Sequence, residues 1–428
     1  MKNNVDENIY TIIISNTYID STVDRLMEFI SLVSTAGYKT ISAFKQKVVV
    51  PDPSTYIRKG LIGKIKEYLL AFFDENPNLK DKVIIATGFD LSGTQRANLK
   101  KILGVEVVDR TFIILKIFEN NAHTKEAKLQ VDIASLTWSK NHLVNSEGAF
   151  SQVTSGGGLH NKGSGEKQIT LDRRHISNLI EAKKKELEKI KQARKNARTK
   201  RNNSGLYKIA IVGYTNAGKS TLMNSLLSFS DGQKMVLTKN ALFATLETST
   251  REITKYGFMK LLFTDTVGFV RNLPTTLVEA FKSTLEEIKE TDLLVHVVDY
   301  SNKEYEEQIQ TTNDILKEIG ANDIPMIYLY NKYDLVGQSK NSLLENNSIY
   351  TSLINENESE DIYRFICTNL SKDWEEYKIE FPYENNFGEF CFDNYVLSSV
   401  KIKNGYYCTV RINPRTKYKY TYLLDKNC

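Results

Sequence analysis

A buried strand that runs through a glycine-bracketed loop straight into a helix leaves a chain few folds to choose from, and residues 208–229 have that form. "KIAIVG", Lys208 to Gly213, reads as the strand, and "STLMNSLLS" carries Leu222, Leu226 and Leu227 at helical spacing. The loop between them, Gly213, Tyr214, Thr215, Asn216, Ala217, Gly218, Lys219, Ser220 and Thr221, satisfies G-x-x-x-x-G-K-[ST]. Gly213 and Gly218 let the backbone close round a β-phosphate with its N–H groups inward. Lys219 neutralises the β- and γ-oxygens, and Ser220 offers a hydroxyl to Mg²⁺. "LLFTD" (261–265), "LLVHVVD" (293–299) and "MIYLYN" (326–331) are further apolar runs ending in polar residues, separated by helical stretches such as "LVEAFKSTLEEIKE". Strands alternating with helices predict an α/β fold with a mostly parallel sheet, whose ligands bind beyond the carboxyl ends of the strands.

The remaining motifs sit at such ends. "DTVG" (Asp265, Thr266, Val267, Gly268) follows "LLFT", so Asp265 is expected in the Mg²⁺ shell through water and the Gly268 N–H on a γ-phosphate oxygen. Phe269 comes next, where many nucleotide hydrolases place a water-orienting glutamine. A phenyl ring cannot orient water, so the water must be held by backbone groups or by something a partner orders. "NKYD" (Asn331, Lys332, Tyr333, Asp334) selects the base, because the Asp334 carboxylate pairs with guanine N1–H and the exocyclic amine, donors that adenine lacks. Asn331 and Lys332 then brace the loops and cover the base. "LFATLETSTR" (242–251) falls where a switch supplies a threonine to Mg²⁺, and Thr245, Thr248 and Thr250 are all available. Ser352, Leu353 and Ile354 fall at the last guanine-binding loop, where a backbone N–H reaches O6. Asn216 lies where some P-loop GTPases coordinate K⁺; an asparagine stabilising its own turn accounts for it equally well.

The 428 residues, with 41% hydrophobic and 25% charged side chains, suffice for two or three soluble domains. No apolar run has membrane-spanning length and the start is too polar for a secretory signal, so a cytoplasmic protein is expected. Cys367, Cys391, Cys408 and Cys428 lack the paired spacing of structural zinc and read as free thiols. The net charge of +5 is concentrated in residues 181–201, "EAKKKELEKIKQARKNARTKR", and in the segment from Lys401 onward.

Upstream, "KVIIATG" and "VEVVDRTFIILKIF" read as strand material with "SGTQRANLKKIL" as a helix between, which makes residues 1–118 a separate α/β domain. "HTKEAKLQVDIASLTWSKNHL" and the run from Ile176 to Thr199 read as long helices, the second with Ile176, Leu179, Ile180, Leu187 and Ile190 on one stripe. The glycine-rich stretch 155–168 reads as the loop joining them into a hairpin.

On these residues the chain resembles the HflX family of ribosome-associated, translational GTPases. The stretches that carry the likeness are "LSGTQRANL", "AKLQVDIASL", "GGGLHNKGSGEKQITLDRR", "GYTNAGKST", "LFATL" and "DTVGFVRNLPTTLVEAFKSTLEE". The resemblance implies an N-terminal α/β subdomain (1–118), a helical hairpin (119–204), a P-loop G domain (205–372) and a small C-terminal domain (373–428). It implies that Thr245 is the switch threonine on Mg²⁺, with Phe243, Ala244, Leu246 and Glu247 beside it at the nucleotide. Lys219, Thr245 and Gly268 are then the residues at the reacting phosphate. It also implies binding to the large ribosomal subunit and its RNA, with GTP-dependent splitting of stalled ribosomes and GTP and GDP as ligands; a monomer is expected. The basic helix would face RNA, since lysines along a helix contact phosphates without reading sequence. A competing expectation is a ribosome-bound assembly or hibernation factor that uses GTP only as an occupancy switch.

Overall fold

The computed structural model describes residues 9–19, 22–143, 162–199, 206–231, 249–271, 286–337, 343–354 and 358–424. The chain divides into two compact units, the first built on residues up to Lys191 and the second on residues from Gln192 onward.

The first unit opens with a four-stranded parallel sheet of order β2-β1-β3-β4, formed by β1 (Ile9–Asn16), β2 (Tyr38–Gln46), β3 (Val83–Thr87) and β4 (Glu106–Val108). Parallel strands need crossover helices, and α1 (Val23–Thr35), α2 (Lys59–Glu75) and α3 (Gly93–Leu103) supply them. Ile12, Ile14 and Ile85 of the sheet pack with Ile65 and Leu69 of α2 and Leu99 of α3. Ser92 opens α3 with a capping box to Gln95, and Gly104 ends it in the left-handed region.

The structure corrects one expectation here. "DRTFIILKIF" is not a strand: β4 stops at Val108 and Arg110–Asn121 is a helix, α4. The Asp109 side chain accepts the Phe112 N–H at 2.8 Å and so caps it. Thr111, Ile113, Ile114, Leu115, Ile117 and Phe118 are all buried, and the face that meets solvent is narrow, carried by Lys116, Glu119 and Asn120, so the apolar run Phe112–Leu115 gives no helical period.

Helix α5 (Lys125–Asn141) and helix α6 (Lys162–Thr199) form the expected hairpin. Leu129 and Ile133 meet Ile180 and Leu187, flanked by Ile176 and Ile190. The ion pairs Lys125–Glu186 and Lys183–Asp132 show that the two helices run antiparallel. Leu179 stays 38% exposed, off the stripe assigned to it, because its neighbour Ile180 takes the inward position. The glycine-rich stretch is also not a loop throughout: residues 162–168 belong to α6, while 155–161 lie outside the described residues. A helix of 38 residues propagates cooperatively, so two interior glycines at about 1 kcal/mol each do not stop it.

The second unit is a seven-stranded sheet of order β10-β11-β9-β8-β5-β7-β6. Its strands are β5 (Tyr207–Gly213), β6 (Ser249–Ile253), β7 (Leu261–Asp265), β8 (Leu293–Asp299), β9 (Met326–Asn331), β10 (Leu343–Glu345) and β11 (Ser348–Tyr350). The five central strands are parallel and the two edge strands antiparallel. Helix α7 (Lys219–Phe229) buries Leu222, Leu226 and Leu227 against one face. Of "LVEAFKSTLEEIKE", residues 286–290 form a 3₁₀ turn and the others lie outside the described residues.

The basic C-terminal stretch folds as an antiparallel sheet β12-β14-β13 (Glu376–Pro382, Gly405–Arg411, Tyr395–Ile402). It joins the larger sheet's core through Tyr395. Arg415 pairs with Asp292 at 2.5 Å and lies over the Tyr207 ring at 3.8 Å. Cys367, Cys391 and Cys408 are buried free thiols; Cys428 lies outside the described residues. Among the described residues no helix is long and apolar enough to cross a membrane.

Candidate functional site

Four motifs converge at the carboxyl ends of β5, β7, β9 and β11. Gly213 closes β5 with φ +143°, and a Cβ there would collide with the Val297 carbonyl of β8, so only glycine admits the turn. The loop then places Lys219 and Ser220 in the first turn of α7, the helix end that attracts anions. Lys219 is 6% exposed; its ammonium donates to the carbonyls of Gly213 (3.1 Å) and Tyr214 (2.7 Å). Burial pushes its pKa down to about 8, with Asp265 acting in the opposite sense. A phosphate entering this loop would restore the charge that burial opposes.

Ile211 of β5 pairs with Asp265 of β7, which brings the Asp265 carboxylate beside the P-loop. The Ser220 hydroxyl donates to Asp265 Oδ2 at 3.0 Å. A hydroxyl and a carboxylate side by side are the hard oxygen donors that Mg²⁺ takes, with phosphate and water completing its shell. Thr266 points away and donates to the Ile211 carbonyl at 2.7 Å. Thr221 is exposed and Asn216 is exposed with φ +62°, a conformation asparagine tolerates. Thr250 lies in β6 with its hydroxyl 3.0 Å from that of Thr264, so it is committed to the sheet. Phe243, Ala244, Thr245, Leu246, Glu247 and Thr248 lie outside the described residues.

Phe269 is 2% exposed and packs with Ala210, Val212, Ile288, Leu294 and Leu316. Its backbone is zipped to the P-loop: Phe269 N–H donates to the Gly213 carbonyl (3.1 Å), and Thr215 N–H donates to the Phe269 carbonyl (2.7 Å). Two residues on, Arg271 N–H donates to the Tyr214 hydroxyl at 2.8 Å, and its guanidinium pairs with Glu304 at 2.7 Å. The zipper puts Gly268 so close to the loop that a Cβ would stand 2.9 Å from Lys219 Nζ and 2.8 Å from Thr215 Cγ2. Phe269→Ala is expected to cost about 3 kcal/mol of stability, since it empties a core site. Urea unfolding of both proteins measures this, and a loss below about 1 kcal/mol would contradict the anchoring role.

Asn331, at the end of β9, joins two loops. Its amide donates to the Ala217 carbonyl at 2.8 Å, and its Oδ1 accepts the Leu353 N–H at 3.1 Å. Lys332 pairs with Asp299 at 2.6 Å, and Tyr333 N–H donates to the Thr351 carbonyl at 3.2 Å. Ser352 Oγ donates to Asp334 Oδ1 at 2.6 Å, leaving the exposed carboxylate oriented by its neighbour. Leu353 is buried, while Ile354 is 79% exposed. Sequence reasoning passed over two braces, Asp299 and Glu358. Glu358 accepts from the Ser352 N–H (2.8 Å) and from the Thr351 hydroxyl, and so shapes the last loop. Its position in the acidic run "NENESED" looks like a solvated surface, and only the fold shows it 7% exposed.

Comparison with known proteins is consistent with this geometry. Residues 208–332 match the family described as 50S ribosome-binding GTPase. Residues 121–201 match the GTP-binding GTPase middle region, and 23–119 the GTP-binding GTPase N-terminal family. The chain is 39% identical over 376 residues to the GTPase HflX of Caldanaerobacter subterraneus subsp. tengcongensis, covering 88% of this chain and 83% of that protein. It is 35% identical over 317 residues to the GTPase HflX of Escherichia coli, covering 74% and 71%. A GTP-binding protein from Sulfolobus solfataricus, solved with GDP, aligns at 24% identity and TM-score 0.45 over 85% of this chain and 99% of that one. With a P-loop, a DxxG turn and an NKxD loop brought to one end of a parallel sheet, and with identity extending through the preceding units, the chain belongs to the HflX family of P-loop GTPases.

Proposed function

We propose that this protein acts in the cytosol as a GTPase on the large ribosomal subunit, using GTP binding and hydrolysis to separate or recycle stalled ribosomes. The observation that carries the reading is the match of residues 208–332 to a 50S ribosome-binding GTPase family. Two structural features support it. Phe269 is buried in the core beside the γ-phosphate turn, so it offers no group to hold water, which suits an enzyme whose turnover waits for a partner. Helix α6 keeps Arg174, Lys185 and Lys189 exposed while its apolar stripe is covered by α5, which leaves positive charge for phosphates.

The same reading assigns the nucleotide contacts. The P-loop amides and Lys219 take the phosphates, Asp334 takes the guanine edge, and a backbone N–H of the 352–354 loop reaches O6, those of Ser352 and Leu353 being given to Glu358 and Asn331. Ser220 would hold Mg²⁺ directly and Asp265 through water, with Thr245 as the switch ligand. Bound there, the ion neutralises charge on the β- and γ-oxygens. The chain's own residues bind, orient and release: Gly268 reports the γ-phosphate through its N–H, and the Phe269 zipper ties that report to the P-loop.

GTP turnover by the purified full-length chain, with and without purified large subunits, tests the reading. Stimulation of at least about tenfold is expected, since partner-supplied groups in GTPases give far more. A sucrose gradient should show a larger subunit fraction when GTP is present. Unstimulated turnover with binding intact would favour the occupancy switch, and absence of binding would overturn the ribosomal role.

A further inference from the structure

The structure assigns an orienting group to the place that Phe269 leaves empty. We propose that the Thr215 hydroxyl is the side-chain hydrogen-bonding group that positions the attacking water at the γ-phosphoryl. The inference rests on the nucleotide reading above and adds a residue role to it.

Thr215 is only 6% exposed, and its Oγ1 has no hydrogen-bond partner among the described residues. Buried hydroxyls are ordinarily paired, and an unpaired one at a loop built for a ligand points to that ligand. The neighbouring threonines show the contrast: Thr266 donates to a carbonyl at 2.7 Å and Thr264 pairs with Thr250 at 3.0 Å. Thr215 is also held in place by its own backbone, whose N–H donates to the Phe269 carbonyl at 2.7 Å. A Cβ on Gly268 would lie 2.8 Å from Thr215 Cγ2 and 2.9 Å from Lys219 Nζ. The Thr215 side chain, the Lys219 ammonium and the glycine expected to sense the γ-phosphate therefore crowd around one point.

The chemistry asks little of the hydroxyl. The oxygen of water bonds to the γ-phosphorus, the bond from that phosphorus to the β-phosphoryl oxygen breaks, and GDP leaves with the electron pair. Both of the water's protons depart on inorganic phosphate, which leaves as dihydrogen phosphate and passes one to solvent at neutral pH. Thr215 accepts a hydrogen bond from the water as it attacks and neither gains nor loses a proton. A preorganised group of this kind contributes through geometry, which is what a rigid, buried β-branched side chain provides.

The test uses the full-length chain with Thr215→Val, which keeps the shape and removes the hydroxyl, and Thr215→Ser, which keeps the hydroxyl and removes the methyl. Single-turnover GTP hydrolysis is expected to slow by roughly 10²-fold in the valine variant, the scale for losing one positioned transition-state hydrogen bond. The serine variant should recover most of the rate. Affinity for GDP, read by a fluorescent guanine nucleotide, should stay within about threefold in both, while capture of GDP with aluminium fluoride should weaken in the valine variant alone. A valine variant hydrolysing at the parental rate overturns the proposal, and so does a serine variant as slow as valine. Failure of the unaltered chain to bind guanine nucleotide would instead remove the reading of the site, and the proposal with it.

Discussion

Lys219→Met is expected to reduce GTP hydrolysis by roughly 10³–10⁵-fold, the range for a charge that neutralises the transferring phosphoryl group. Methionine keeps the buried stem and removes the ammonium, so the loss reports charge rather than packing. Lys219 is 6% exposed, and its ammonium donates to the loop carbonyls of Gly213 and Tyr214. Those carbonyls hold the ammonium 2.9 Å from where a Cβ on Gly268 would stand. Because burial pushes the Lys219 pKa down to about 8, a phosphate beside it would favour the charged form that burial opposes. Rapid-quench hydrolysis measures the effect; a loss smaller than about tenfold would mean that Lys219 is a structural strut. A circular-dichroism melt within a few degrees of the parent shows that the fold is kept.

Asp334→Asn is expected to weaken GTP binding by roughly 10²–10³-fold and to raise affinity for xanthosine triphosphate. The carboxylate accepts two hydrogens from guanine; an asparagine amide offers one acceptor and two donors, which suits the xanthine edge instead. The geometry favours a clean exchange. Asp334 is exposed and oriented by Ser352 Oγ at 2.6 Å, so the variant leaves no buried charge unpaired. Asn331, which links Ala217 to Leu353, is untouched, so the loops keep their relation. Competition of both triphosphates against a fluorescent guanine nucleotide decides the matter. Equal loss of both would show that the change collapsed the loop, and unchanged GTP affinity would show that the base is read elsewhere.

The chain's motifs were legible because phosphate and guanine recognition impose fixed residue types at fixed spacings. The strand before each motif was legible for a related reason: β8 buries six of its seven residues, which makes a run of apolar residues interrupted only by His296 between polar ends. Helix α4 was not legible, since its unbroken apolar run Phe112–Leu115 looks the same as a buried strand in sequence. The inclusion of residues 162–168 in α6 was hidden by its glycines, whose local preference a long helix overrode. Glu358 and Asp299 could not be found either, because a carboxylate that braces a loop carries no spacing signal of its own.

The sequence alone therefore determined the family, the nucleotide motifs and the absence of a water-orienting glutamine at Phe269, because each is a matter of residue identity and order. Only the tertiary structure decided what Phe269 does instead. Strand β5 and the turn after β7 are far apart in the chain, and their pairing both sinks the ring into the core and closes Gly268 on Lys219 and Thr215. The same closure leaves the Thr215 hydroxyl buried and unpaired, a fact of packing that no string of residues can record.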